Sequence, residues 1–142
     1  MYPEEMIQPM RDEVTRLGVK EARTAADIDA ALSPKGTALV FINSVCGCAA
    51  GNARPGLTLA VKNPTLPQRM VTVFAGNDSE AAAKARSYFK GIPPSSPCFA
   101  LLKDGQIAHF IPRHEIEGRN PQDVAKALTS AFDKHCGTAA KA

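Results

Sequence analysis

No stretch of this sequence is long and apolar enough to enter a membrane as a helix: unbroken apolar pieces such as residues 38–42 fall far below the ~18–20 residues that a span requires. A clustered excess of one charge is missing as well. Lys and Arg number 17 against 14 Asp and Glu, and the resulting +3 is dispersed along the chain. That distribution lacks the basic stripe of a protein that tracks nucleic-acid phosphates. The first residues, Met1-Tyr2-Pro3-Glu4-Glu5, place acids where a secretory signal carries positive charge ahead of an apolar run, so the expected location is the cytoplasm. Cysteine is sparse, four in 142 residues. A chain of this length buries roughly 68–70% of its unfolded surface, and a reducing compartment keeps thiols free, so a structural disulfide framework is not expected. Repeats, linkers and low-complexity tracts are also lacking. The reading is a single domain over residues 1–142, with residues 1–18 as a helical amino-terminal extension and 137–142 as a frayed tail.

What is present is a sequence of changing periods. Met6, Met10, Val14 and Leu17 recur at helical spacing before Gly18, with Pro9 weakening the first half, and a short extended piece follows near Val19. Thr24 with Asp27 reads as a helix start, Ile28 and Leu32 as its inward face, and Ser33-Pro34-Lys35-Gly36 as the break. The run Thr37-Ala38-Leu39-Val40-Phe41-Ile42 is apolar on both faces, the pattern of a central strand covered by helices. Residues 48–61 predict a helix that Pro55-Gly56 should kink or interrupt. Residues 70–74 form a second buried strand. Asn77 with Glu80 predicts the start of an Ala-rich helix that runs to Phe89 and ends at Gly91. Two apolar runs, 98–102 and 107–111, joined through Asp104-Gly105, predict a hairpin. Asn120-Pro121 then opens a last helix whose stripe is Val124, Leu128 and Phe132. Alternation followed by a hairpin implies an α/β fold with a central mixed β-sheet flanked by helices.

The chemistry lies in Cys46-Gly47-Cys48, because Cys98 and Cys136 stand alone. Cys46 falls where a buried strand ends and a helix begins. Free backbone N–H groups and the helix dipole at such a point favour the thiolate, and no acid between Thr37 and Asn52 opposes them. Cys46 therefore reads as the attacking thiolate. Residues i and i+2 of a helix project about 200° apart, so the two sulfurs cannot meet while the segment is helical, and Gly47 is expected to relieve this. A bridge over so short a link is strained, and strain raises the reduction potential. Two other readings stay open: a soft-metal thiolate site, which lacks further ligands because His109, His114 and His135 are not spaced as a set, or two small buried residues at a helix start.

Four segments resemble the bacilliredoxins, thioredoxin-like proteins with a Cys-Gly-Cys active site. They are Asn43-Ser44-Val45-Cys46-Gly47-Cys48-Ala49-Ala50-Gly51, Val73-Phe74-Ala75-Gly76, Pro94-Ser95-Ser96-Pro97, and His109-Phe110-Ile111-Pro112-Arg113-His114-Glu115-Ile116-Glu117-Gly118. The resemblance covers nearly the whole chain. It implies a thioredoxin-like fold with an extra amino-terminal helix, Cys46 as nucleophile and Cys48 as resolving cysteine. It also implies removal of bacillithiol, a low-molecular-weight thiol, from S-thiolated proteins, with disulfide isomerase activity as a related possibility. No bound cofactor or metal is implied. The co-substrate is bacillithiol or an equivalent such as glutathione, coenzyme A or a protein thiol, and a low-molecular-weight thiol or a reductase supplies the electrons. Pro97 matches the cis-proline of thioredoxin folds, which would turn the Ser96 backbone toward an incoming chain as a substrate-binding edge.

Two departures from ordinary thioredoxins stand out: no tryptophan precedes Cys46, and residues 39–42 hold no carboxylate to deprotonate Cys48. Efficient reduction of ordinary protein disulfides is therefore not expected. Cys98, next to Pro97, reads as a core thiol turned to the face opposite its neighbours. Cys136, ending the last helix beside His135, reads as exposed and open to an intermolecular bond. Arg113, His114 and Glu115 read as solvated or locally structural, and Asn43 and Ser44 as bonding the active loop or merely ending the strand.

Overall fold

The computed structural model, which describes residues 1–137, is organised around β2 (Thr37–Asn43), every residue of which is buried. The tail expected from residue 137 lies outside the described residues except for Gly137 itself. Strand order is β1-β3-β2-β4-β5. β1 (Lys20–Glu21) and β2 both run parallel to β3 (Arg69–Phe74), whereas β4 (Cys98–Lys103) runs antiparallel to β2 and to β5 (Gln106–Ile111). The sheet is mixed, as the alternation implied.

Side chains that alternate along a strand feed two separate cores. Leu39 and Phe41 of β2 join Phe99 and Leu101 of β4 beneath α3 (Arg54–Ala60) and α5 (Pro121–His135). Val40 and Ile42 join Val71, Val73 and Ala100 beneath α2 (Ala25–Leu32) and α4 (Ser79–Ser87). Phe41 and Phe99 are paired across the ladder and stack at 4.6 Å, each contributing about 1.5–3 kcal/mol by burial. Gly56 permits the α3–α5 approach, since a Cβ there would stand 2.6 Å from Val124 Cγ1. The β4–β5 turn uses positive φ at both Asp104 (54°) and Gly105 (79°), the demand that Asp-Gly meets in a two-residue hairpin.

Local helix signals are realised at two of the three expected starts. Thr24 and Asp27 close a reciprocal capping box on α2, and Asn120 accepts from the Asp123 N–H ahead of Pro121. At α4 the expected cap is displaced: the helix starts after Asp78, not Asn77, and ends at Ser87, two residues before Phe89. Asp78 is drawn inward by Arg11 and by the Phe74 N–H, while Asn77 bonds the backbone of Tyr2. Between β2 and α3 a π-helical turn, Ala49–Ala53, absorbs the irregularity assigned to Pro55, and Pro55 itself sits in the first turn of α3.

The amino-terminal helix α1 (Glu4–Thr15) runs unbroken through the exposed Pro9, but its buried face differs from the expected one. Ile7, Arg11 and Val14 point inward, and Met6 is exposed. Arg11 is only 2% exposed and forms a bidentate pair with Asp78 at 2.8 Å, with Glu4 at 3.1 Å and Glu21 at 3.4 Å adding charge. Ile7 and Arg11 turn inward in place of Met6 and Met10, while Val14 is buried and Leu17 packs against the core as the periodicity predicts. Replacing Arg11 by alanine leaves the Asp78 charge buried without its cation, and is expected to cost about 3–5 kcal/mol of stability. A urea midpoint equal to that of the wild type would show that the cluster contributes nothing.

Candidate active site

Cys46 lies three residues beyond β2, ahead of the first helical turn. Its carbonyl accepts from the N–H groups of Ala49 (3.1 Å) and Ala50 (3.2 Å), so it stands at the helix amino terminus as expected. The Ser44 hydroxyl accepts from the Cys46 N–H and donates to Cys46 Sγ, both at 3.2 Å. Cys46 Sγ and Cys48 Sγ are 2.6 Å apart, in direct contact.

That contact arises differently from the sequence expectation. Gly47 and Cys48 are already helical, yet the sulfurs meet, because Cys46 precedes the helix and its side chain does not follow the helical direction. Gly47 does not relieve the geometry. It is absent from the positive-φ glycines, and a Cβ placed there would touch nothing within 4 Å.

The two thiols are driven apart in acidity. Burial pushes the Cys46 thiol up. Hydrogen bonds from Cys48, Ser44 and the N–H groups of Ala49 and Cys48 outweigh it, so the net shift is below the ordinary value. For Cys48, burial, the Cys46 sulfur and Glu117 all push upward, with Arg113 opposing. Cys46 is thus the sulfur that ionises first. Removing the Ser44 hydroxyl deletes one cause of the downward shift, so Ser44→Ala is expected to move Cys46 titration to higher pH and slow its alkylation at neutral pH a few-fold. Thiolate absorbance against pH measures this, and an unmoved curve would assign the stabilisation to the helix terminus and Cys48 alone.

A network from distant elements holds the loop. Arg54, 3% exposed at the start of α3, donates from one nitrogen to Asn43 Oδ1 and to the Ser44 carbonyl, each at 2.9 Å, and from Nε to Glu13 of α1 at 2.9 Å. Asn43 Oδ1 also accepts from the Ser44 N–H, and its amide donates to the Met10 carbonyl at 3.1 Å. Asn43 therefore bonds the loop rather than merely ending the strand, and the amino-terminal helix is tied to the thiols' support. Arg54 was not singled out by sequence. No local pattern pairs it with residue 43, eleven positions earlier.

Across the ladder, Ile42 faces Cys98, which brings the preceding loop to the same end of the sheet as Cys46. The Ser96–Pro97 bond is cis. Ser95 Oγ accepts from the Arg113 N–H at 2.7 Å, and the Arg113 guanidinium reaches the Ser96 carbonyl at 3.5 Å. Arg113 opens the 3₁₀ turn Arg113–Glu115 and lies within electrostatic reach of both sulfurs, whose charge raises its own pKa. It is exposed and bonds its local surroundings, as the solvated or locally structural reading had it, and its charge faces the thiols as well. His114 is exposed, 3.9 Å from Glu115.

The remaining cysteines stand apart. Cys98 is 1% exposed in the core on the α2–α4 side, and burial pushes its thiol up to about 12, in keeping with a core thiol. Cys136 is 3% exposed, packed in the α3–α5 core, where burial raises its pKa against the lowering influence of Thr37. The expectation of an exposed intermolecular thiol is overturned: the end of α5 sets Cys136 into the core that α3 and α5 share with the sheet. Among the described residues no three His, Cys, Asp or Glu side chains are grouped as a metal set, and no helix is long and apolar enough to cross a membrane.

Two thiols in contact at the amino end of a helix that follows a central strand, opposite a cis-proline loop, define a dithiol protein of thioredoxin-like fold. Solved thioredoxins share that fold. The structure from Fasciola hepatica superposes with a TM-score of 0.58 at 20% identity over 82% of this chain and 99% of that one. The Malassezia sympodialis structure gives 0.60 at 15% identity over 82% and 90%. A family model described as disulphide isomerase matches residues 2–136. Bacilliredoxins from Koribacter versatilis (51% identical, 100% of this chain, 99% of the relative) and Geobacillus kaustophilus (51%, 96% and 95%) align end to end. A bacilliredoxin of Staphylococcus epidermidis is 49% identical over 96% of this chain and 94% of its own. The chain belongs to the bacilliredoxin family. It is a thiol–disulfide oxidoreductase.

Proposed function

We propose that the protein removes bacillithiol, or an equivalent low-molecular-weight thiol, from mixed disulfides on cytoplasmic proteins. The observation that carries this reading is the contact between an acidified Cys46 and a Cys48 held protonated beside it. The Cys46 thiolate attacks the small-thiol sulfur of the mixed disulfide. A new disulfide forms to Cys46, and the client cysteine leaves as a thiolate that takes up a proton. Cys48 then loses its proton, attacks Cys46 Sγ and expels the small thiol, leaving a Cys46–Cys48 disulfide. Two equivalents of a low-molecular-weight thiol, which leave as their own disulfide, or a reductase supply the two electrons and two protons that restore the dithiol. Pro97 and the Ser96 backbone form the edge that an extended client segment meets, and Arg113, near both sulfurs, stabilises developing thiolate charge.

A second reading, isomerisation of mispaired disulfides, is favoured by the description of the matching family. It uses the same first attack but returns the electrons when the client's own thiol displaces Cys46. Incubation of the reduced protein with a bacillithiolated protein separates the two. Mass spectrometry is expected to show loss of bacillithiol from the client, with the Cys46–Cys48 disulfide formed in the wild type and bacillithiol retained on Cys46 in Cys48→Ser. Intact thiolated client together with recovery of scrambled ribonuclease would favour isomerisation instead.

A further inference from the structure

A cavity of about 610 Å³, within the range of small-molecule sites, opens on the side of Arg113 and Glu117, the charged pair that reaches the Cys48 sulfur electrostatically. Its walls include Arg86 of α4, Ile92, Ser95 and Ser96 of the loop, Phe110 of β5 and Arg113; His114 and Glu117 also line it. The charges are unequal in their partners. Glu117 pairs with Arg113 at 3.2 Å. Arg86 is half-buried and, among the described residues, makes no salt bridge or side-chain hydrogen bond, with its Nε buried and unpartnered. A guanidinium left without an acceptor in a partly desolvated wall is costly, and its planar fork matches a carboxylate. Ile92 and Phe110, the latter packed at 5.7 Å on Phe89, supply an apolar wall for a carbon skeleton.

We propose that this cavity is a carboxylate subsite for the non-reacting half of a low-molecular-weight thiol, with Arg86 as its anchoring cation. This rests on the thiol-exchange reading above and names the class of small thiol: one whose body carries carboxylate. Binding there places the small-thiol sulfur beside Cys46, while the client leaves by the Pro97 edge.

The test follows the rate at which Cys46 of the full-length protein, carrying Cys48→Ser so that the adduct is not resolved, forms a mixed disulfide with three reagents. Glutathione disulfide carries carboxylates, hydroxyethyl disulfide is neutral, and cystamine is cationic. In each case the Cys46 thiolate bonds one sulfur and the other half departs as a thiolate. Arg86→Gln is expected to slow glutathione disulfide about tenfold, the size of one charge-assisted hydrogen bond, while hydroxyethyl disulfide is unchanged and cystamine is not slowed. Arg86→Lys should recover part of the loss. Unchanged reaction with glutathione disulfide overturns the subsite, as does an equal slowing of all three reagents. Slowing confined to a disulfide on an acidic peptide, with glutathione disulfide unaffected, overturns it in favour of a client-protein carboxylate. Failure of the exchange reading is distinguishable, since then even hydroxyethyl disulfide leaves Cys46 of the Cys48→Ser protein unlabelled.

Discussion

Cys46→Ser is expected to abolish mixed-disulfide formation, on the order of 10³-fold or more, whereas Cys48→Ser retains the first attack and traps the adduct. The thiolate is the attacking species, and a serine hydroxyl supplies none at neutral pH. Cys46 is the sulfur that receives hydrogen bonds from Ser44 and from two backbone N–H groups, so it carries the charge when the pair loses one proton. Cys48 is pushed the other way by burial and by the sulfur beside it, which keeps it protonated for the proposed resolving step. Peptide mapping of the adduct formed with an oxidised low-molecular-weight thiol checks the order. An adduct found mainly on Cys48 of the wild-type protein would reverse the assignment.

The second large effect concerns the direction of electron flow. A dithiol whose reduced form is stabilised is a stronger oxidant. Here the hydrogen bonds to Cys46 Sγ favour its thiolate in the reduced form, and that stabilisation is lost when Sγ becomes a disulfide sulfur. Hydrogen bonds to a charged group contribute about 1.5–3 kcal/mol each. At about 30 mV per 1.4 kcal/mol, two such bonds raise the potential on the order of 100 mV above the thioredoxin value of about −270 mV. The short link between Cys46 and Cys48 acts in the same direction by disfavouring the bridge. The protein is therefore expected to equilibrate with glutathione buffers at a markedly less negative potential than thioredoxin and to reduce insulin slowly. A potential at or below the thioredoxin value, with rapid insulin turbidity, would make a general reductase the better reading.

The expected rarity of carboxylates near the pair holds in β2, where all seven residues lack an acid. Glu117 is the acid that reaches Cys48 electrostatically, and it arrives from 69 positions away in the chain. Its charge raises the Cys48 pKa and is itself paired with Arg113. The absence of a local base was legible; the presence of a remote ion pair was not.

The amino-acid sequence by itself determined those features whose physical causes lie within a few residues of one another. Apolar residues on both faces of β2 require helices on both sides, and the capping signals at Thr24 and Asn120 each satisfy a donor three positions away. Asp104-Gly105 supplies the positive φ of its own turn, and the helix start after β2 places Cys46 where backbone N–H groups favour a thiolate. Tertiary structure decided the features that depend on a partner far along the chain. Asp78 turns Arg11 inward from 67 positions away and thereby resets the buried face of α1 and the start of α4. Cys136 is covered because α5 packs onto the sheet beside Thr37. Arg54 and Arg113 became parts of the site only when α3 and the turn after β5 were brought against the Asn43–Ser44 and Ser95–Ser96 backbones. A charged side chain carries no periodicity that tells whether its counter-ion is solvent or a distant residue, because burial of a charge is settled by the partner that the completed fold places beside it.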